Sequence, residues 1–226
     1  MKKLFFLIVL FICGYTKAQQ LSQITFSYDG RLMYFTIASE QNLLLRISPE
    51  GQLLEFGTEQ ASLYNNNYYA YNLLPYPGRV DTYTYESDTA IKGKIKTIGF
   101  ANFNWYASYE VPTRVGKLKS IGRLAIDYYD NFAIKELQGK IKSIGNMLLD
   151  YYSSPADDIS FRGNLKSIGN IPLTYFTSFD DRLLKGKLKT IGSINYNWYG
   201  SFDINRSGLK SGNYRSSLNG ILFIIR

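Results

Sequence analysis

The chain has no histidine and only one cysteine, Cys13, in 226 residues. These two shortages exclude much of enzyme chemistry. Without an imidazole there is no Ser-His-Asp triad and no Cys-His dyad. Zinc sites of the usual Cys/His type are excluded with them. A lone thiol forms no intrachain disulfide, so the fold must rest on its own core, for which about 200 residues suffice. Helix signals are scarce too, since no stretch of residues 19–92 carries a sustained 3.6-residue apolar stripe between caps. Apolar runs are short. Leu4–Cys13 falls well below the roughly 18 residues that a membrane helix needs.

That run fits a different role. It follows Met1-Lys2-Lys3 and precedes Thr16-Lys17-Ala18, so basic, apolar and small-residue segments come in the order of a secretory signal peptide cut after Ala18. Ile12 stands where a lipobox needs a small residue before Cys13, so no lipid anchor is expected. The expectation is export through the Sec pathway to the periplasm, the cell surface or the exterior. Without residues 1–18 the chain keeps 23 Lys and Arg against 18 Asp and Glu, a net charge of +5, and loses its only thiol. That charge favours polyanions mildly. No nucleic-acid fold signature accompanies it, so no nucleic acid is expected as a partner.

What the chain does have is a repeated phrase. GKIKTIG at Gly93–Gly99 returns as GKLKSIG at Gly116–Gly122, GKIKSIG at Gly139–Gly145, GNLKSIG at Gly163–Gly169 and GKLKTIG at Gly186–Gly192. A worn copy, GLKSG, stands at Gly208–Gly212. The opening glycines step by 23, 23, 24 and 23 residues, and a fixed period of this length means stacked supersecondary units. After each closing glycine comes a second alternating segment, as in Met147-Leu149-Tyr151, and alternation over six or seven residues marks a half-buried strand. Gly at the first position of the joining pair suits a type II′ turn. With 20 Tyr and 14 Phe, the composition also favours strands.

The sequence therefore predicts an all-β fold, an antiparallel up-and-down sheet of about 23-residue hairpin repeats, with a β-helix or a small closed barrel as alternatives. The equivalent lysines Lys96, Lys119, Lys142, Lys166 and Lys189 favour the meander. They would stand about 5 Å apart in a β-helix but about 10 Å apart in a meander, where salt screens them. A two-residue turn sets Ile144 opposite Met147, Lys142 opposite Leu149 and Lys140 opposite Tyr151. That register puts lysines on the apolar face, a conflict that a bulge at the glycine would remove. Four segments follow: a signal peptide at 1–18; an irregular β section at 19–92, expected to form the N-terminal end of the same sheet; five tandem hairpins at 93–207; and a worn repeat with a closing strand at 208–226. Within 19–92, Asp29-Gly30 and Ser48-Pro49-Glu50-Gly51 read as hairpin turns and residues 64–71 as an Asn/Tyr-rich loop.

The units resemble those of secreted Gram-negative bacterial proteins built from tandem G-K-(I/L)-K-(S/T)-I-G…I-x-Y-Y-D copies. Ile126-Asp127-Tyr128-Tyr129-Asp130 and Leu149-Asp150-Tyr151-Tyr152 carry the second half, and the likeness covers residues 93–203. Tyr28-Asp29-Gly30-Arg31-Leu32 is similar, more distantly, to the YD repeats of Rhs-type shells. Neither resemblance implies a catalytic residue.

The remaining side chains add no reaction chemistry. Neighbours such as Lys142-Ser143 face opposite sides of a strand and cannot meet within one copy. Asp127, Asp150, Asp157-Asp158 and Asp180-Asp181 read as solvated strand and turn acids rather than as a glycosidase pair or a calcium site. The expectation is a non-enzymatic protein with no cofactor and no metal, acting as a structural or interaction surface. The column Trp105, Tyr128, Tyr151, Tyr175 and Trp198 admits two readings. It is the interior of one sheet face, or it is a platform for a glycan or other polyanion, assisted by Lys96, Lys119, Lys142, Lys166 and Lys189. A small outer-membrane barrel is a third functional alternative.

Overall fold

The computed structural model describes residues 19–39, 42–59 and 72–226; the expected signal peptide 1–18 and the Asn/Tyr-rich stretch 64–71 lie outside the described residues. The repeats form the hairpins that their glycines predict. They are β6 (Ile95–Ile98) with β7 (Ala101–Trp105), β8 (Leu118–Ile121) with β9 (Leu124–Tyr128), and β10 (Ile141–Ile144) with β11 (Met147–Tyr151). Next come β12 (Leu165–Ile168) with β13 (Ile171–Tyr175), and β14 (Leu188–Ile191) with β15 (Ile194–Asn195). With β5 (Val80–Thr82) they make one eleven-stranded antiparallel sheet in strict chain order. This order rules out the β-helix. The sheet ends on β5 and β15 without closing, which rules out the barrel. After β15 the fifth unit's second strand resumes as β16 (Asn197–Trp198), in a separate ribbon with β17 (Leu209–Ser211).

At the hairpin turns Gly99, Gly122, Gly145, Gly169 and Gly192 have φ of 54–58°, while the residue after each keeps a negative φ. That is the II′ pattern, whose twist matches the strands it joins. Ile144 pairs with Met147 as expected.

The lysine conflict is resolved at a different residue from the one foreseen. Against β9, Ile141 pairs with Tyr128 and Ser143 with Asp127, so Lys142 is the extra residue of a β-bulge. The same step falls at Lys96, Lys119, Lys166 and Lys189, and at Lys210 in the worn copy. The bulge is therefore at the second lysine and not at the glycine. Its effect follows from the pleat. Two apolar residues three apart would face opposite ways in a regular strand, but the extra residue turns both inward. Ile141 and Ile144 are buried and Lys142 is exposed; Leu149 is buried and Met147 half-buried beside them. The expected facing of Lys142 toward the core side is corrected accordingly, while Lys140 keeps its expected place beside Tyr151.

The N-terminal section is a second correction. β1 (Gln20–Phe26), β2 (Leu32–Ala38), β3 (Leu43–Ile47) and β4 (Leu53–Thr58) do not extend the repeat sheet. They join β18 (Arg215–Leu218) and β19 (Ile221–Ile225) in a six-stranded sheet of order β18-β19-β1-β2-β3-β4, with β19 parallel to β1. The physical reason lies in the strands themselves. Ile24-Thr25-Phe26 and Tyr34-Phe35-Thr36-Ile37 are buried at every position, so both faces of β1 and β2 are covered, unlike the repeat strands. The expected single closing strand is in fact a hairpin. Asn219 and Gly220 both have positive φ, 51° and 79°, and form the I′ turn that Asn-Gly favours.

The two sheets pack face to face around one continuous apolar core. β1 crosses the repeats diagonally, from Gln19 beside Gly122 to Tyr28 against Trp198 and Gly30 against Gly186. The β3–β4 turn docks on the third unit, where Ile141 N–H donates to Pro49 O at 2.8 Å. Gly51, at φ 81°, sits so close to the Tyr128 ring that a Cβ would lie 2.0 Å from its hydroxyl oxygen.

Candidate interaction edge

The aromatic column lies inside this core. Trp105, Tyr128, Tyr151, Tyr175 and Trp198 are all buried, and each places its polar end on the strand before it. Trp105 Nε1–H donates to Ile95 O at 2.7 Å, Tyr128 to Leu118 O at 2.7 Å and Tyr151 to Ile141 O at 3.0 Å. Tyr175 donates to Leu165 O at 2.8 Å and Trp198 Nε1–H to Leu188 O at 2.7 Å. Every acceptor is the carbonyl just before a bulge lysine, which the bulge frees from its ladder. Burial pushes the phenols of Tyr128, Tyr151 and Tyr175 well above their ordinary range. Buried rings with satisfied donors are core, so this column offers no face to an external glycan, and the platform reading is corrected.

The first lysine of each motif roofs this column. Lys94, Lys117, Lys140 and Lys187 hold Nζ 4.6–5.1 Å from the centroids of Trp105, Tyr128, Tyr151 and Trp198. Desolvation lowers the pKa of these four ammonium groups. Asn164 takes the lysine's place in the fourth unit, and there Phe161 stacks on Tyr175 at 5.7 Å and 22°. The bulge lysines Lys96, Lys119, Lys142, Lys166 and Lys189 lie on the outer face instead. Each sits 5.1–6.0 Å over a second aromatic column, Tyr83, Tyr106, Tyr129, Tyr152 and Phe176. Lys119 pairs with Glu110 at 3.0 Å and Lys166 with Asp150 at 3.7 Å. Lys96, Lys142 and Lys189 form no ion pair within 4.0 Å among the described residues. The structure thus brings the lysines into a row but separates them from the buried ring column.

A different row of rings is open. Residues 107–115, 130–138, 153–162, 177–185 and 200–207 return the chain from one unit to the next. Each return begins with a β-turn, closed by Glu110 N to Ala107 O, Ala133 N to Asp130 O, Asp157 N to Ser154 O, Asp180 N to Thr177 O and Asp203 N to Gly200 O. The third turn residue is Tyr109, Phe132, Ala156, Phe179 or Phe202. The four rings are 86, 90, 95 and 93% exposed. Ile159 and Ile204, beside them, are also exposed. Equivalent turns are two strands apart, so neighbouring rings repeat about every 10 Å, with one gap of about 20 Å at Ala156.

These tips are braced. Asp158 Oδ2 accepts from Ser178 N–H at 2.9 Å and its hydroxyl at 2.7 Å, fixing the residue before Phe179 from the preceding return. Asp88 does the same for Ser108, before Tyr109, at 2.8 and 3.1 Å. Asp181 does so for Ser201, before Phe202, taking its N–H at 3.0 Å and its hydroxyl. For the two remaining tips, Phe132 and Ala156, the preceding return has Val111 or Ile134 in place of this Asp, and each tip is braced from the far end of its own return. Gln138 Nε2 donates to Asn131 O and Ala133 O at 3.1 and 3.0 Å. Arg162 Nη2 donates to Pro155 O and Asp157 O at 2.9 and 2.8 Å. The Ser108 amide holds the Asp88 carboxyl below its usual range; the Ser160 amide does most for Asp158, and the Ser201 hydroxyl for Asp181. Across the five returns the edge carries eight acidic and six basic side chains, although the whole chain is basic.

An aromatic at the third turn position in four of the five returns is visible in the sequence; its exposure is not, because it depends on braces between residues 20 positions apart. Among the described residues no cluster of three or more Asp and Glu stands together as a metal site would require. The architecture is a two-layer β-sandwich with one layer a repeat meander. No protein-family model, no curated protein and no solved structure matches the chain.

Proposed function

We propose that the protein is an exported, non-catalytic interaction protein whose working surface is the return edge bearing Tyr109, Phe132, Phe179 and Phe202. The exposure of these four rings on braced turns carries the reading. Scattered exposed apolar side chains are ordinary, but a regular row of them marks a contact surface. Bracing supports the same conclusion, because a tip already held in place loses little freedom when it binds. The lack of His in the whole chain, and of Cys beyond the leader, agrees with binding rather than catalysis.

The test replaces all four rings with Ser and compares the variant with wild type on insoluble polysaccharides, soluble polyanions, lipid vesicles and by sedimentation velocity for self-association. The expected variant melts like wild type and loses about tenfold or more of whatever retention wild type shows. Retention indifferent to the four substitutions, or a wild type that binds nothing on the panel, overturns the reading.

That Lys96, Lys142 and Lys189 form no ion pair among the described residues supports a second reading, a polyanion groove on the outer face. Binding there would weaken steeply with salt and fall in a Lys96, Lys142, Lys189→Ser variant, with the tip rings intact.

A further inference from the structure

We infer that the row of tip aromatics takes an uncharged, extended, β-linked polysaccharide such as cellulose or chitin, an assignment that rests on the interaction-edge reading above. Three observations select this occupant. The first is periodicity. Tyr109, Phe132, Phe179 and Phe202 repeat at about 10 Å or twice that. An extended β-linked chain presents the same ring face once per pair of sugars, so a fixed period on the protein meets a fixed period on the ligand. A membrane has no such repeat to match; a second copy of this edge has one, and sedimentation velocity tests that occupant.

The second is the chemistry of the contact. Rings open on both faces offer flat apolar surfaces for the C–H faces of pyranoses, and polar residues accompany them. Ser108, Asn131, Ser178 and Ser201 precede the four rings in the turns. The third is charge. The returns hold eight acidic against six basic side chains, and Lys119 and Lys210 pair with two of the acids, so the edge is close to neutral and offers anionic glycans and anionic lipid headgroups no concentrated positive charge. The bracing by Asp88, Asp158, Asp181, Gln138 and Arg162 fits a stiff polymer, which rewards teeth already fixed in position.

From Tyr109 to Phe202 the row spans four unit steps, or about 40 Å. A short oligosaccharide reaches one or two rings; a long chain reaches all four and gains avidity from each. Ala156 is the missing tooth. Depletion of the full chain from solution by cellulose, chitin, starch (a neutral α-linked control), and zwitterionic and anionic vesicles tests the proposal. Wild type is compared with Phe179→Ser, the four-ring Ser variant and Ala156→Tyr, with melting curves for each.

Retention on cellulose or chitin should exceed that on starch, resist salt, fall about tenfold or more in the four-ring variant and rise several-fold in Ala156→Tyr. Should the four-ring variant fail to fold, Phe179→Ser and Ala156→Tyr still decide the matter by moving retention in opposite directions. Ring-dependent retention on vesicles alone, or ring-dependent self-association alone, sinks the polysaccharide assignment and leaves the interaction edge standing. Equal retention on starch also sinks it. If no surface shows ring dependence, both fail.

Discussion

Deleting Lys142 should be gentler than replacing the isoleucine beside it. The bulge places Lys142 between two residues that already have partners, Ile141 with Tyr128 and Ser143 with Asp127. If Lys142 is removed, those pairs become consecutive and the ladder closes without a step. Ile141 and Ile144 are then two apart and still face the core. What is lost is the ammonium 6.0 Å over the Tyr129 ring, worth about 0.5–1 kcal/mol at an exposed site, and some local twist; the Ile141 carbonyl rejoins the ladder but keeps a second lone pair for the Tyr151 hydroxyl. Ile141→Ala, by contrast, empties a fully buried position and should cost about 2–5 kcal/mol. Urea denaturation of wild type, Lys142→Ala, the Lys142 deletion and Ile141→Ala would rank the four by midpoint, with slopes unchanged. The expected order places the two lysine changes within about 2 kcal/mol of wild type and Ile141→Ala below them. A deletion as damaging as Ile141→Ala would refute the argument. It would show that the bulge itself, rather than the inward apolar pair, holds the register.

Tyr151→Phe leaves the Ile141 carbonyl without its buried donor and should cost about 1–3 kcal/mol by the same denaturation assay, whereas Phe179→Ser should stay within about 0.5 kcal/mol of wild type. Acid should loosen the returns: the carboxyls of Asp88, Asp158 and Asp181 have depressed folded values, so their contribution is complete above the unfolded value of 3.8 and is lost as pH falls through the folded ones. Stability measured from pH 6 downward should therefore decline below about pH 4, and less steeply in Asp158→Asn; a slope that this substitution leaves unchanged would count against the brace. In alkali the sign reverses, because burial raises the phenols of Tyr128, Tyr151 and Tyr175: their stabilisation holds below the unfolded value of 10.0 and fades above it. An absorbance titration should find these rings ionising only as the β-sheet circular dichroism signal is lost. Asn164→Lys should bring no gain in melting temperature, since Phe161 already covers the Tyr175 face that the new lysine would need, and a gain appearing only with Phe161→Ser would confirm that competition.

The period, the hairpins and the II′ turns were legible because they are local: a glycine at fixed spacing between alternating segments leaves little choice. The bulge left a trace of a different kind. A regular register put Lys142 on the core face, and that contradiction was the signal, although nothing in the residues assigned the step to the lysine rather than to Gly145. The second sheet was not legible at all. Its central pairing joins Gln23 to Leu222, nearly the whole chain apart, and no local pattern announces a contact of that length. The aromatic column was read in the right place but with two fates open. Its burial depends on β1 and its neighbours lying across it, a long-range fact. The exposed tips suffered the converse: Phe179 in a polar loop is equally consistent with folding back, and only the Asp158 contact to Ser178 holds its turn outward.

A meander of this kind invites growth by duplication, since a new 23-residue unit brings its own turn, bulge, lysine roof and tip. The diagonal course of β1 across the repeats sets a limit to that growth. Each added unit also brings an inward Ile/Leu pair and a large ring that must lie under something, and the covering sheet has only six strands. Past its margin the new pair would face water, at a cost of about 1.5–3 kcal/mol for each side chain. The cover thus acts as a ruler for the repeats. Lengthening the row of tips would require widening the other layer at its β4 or β18 border in the same step, so the number of units is tied to a part of the chain that shares none of their sequence.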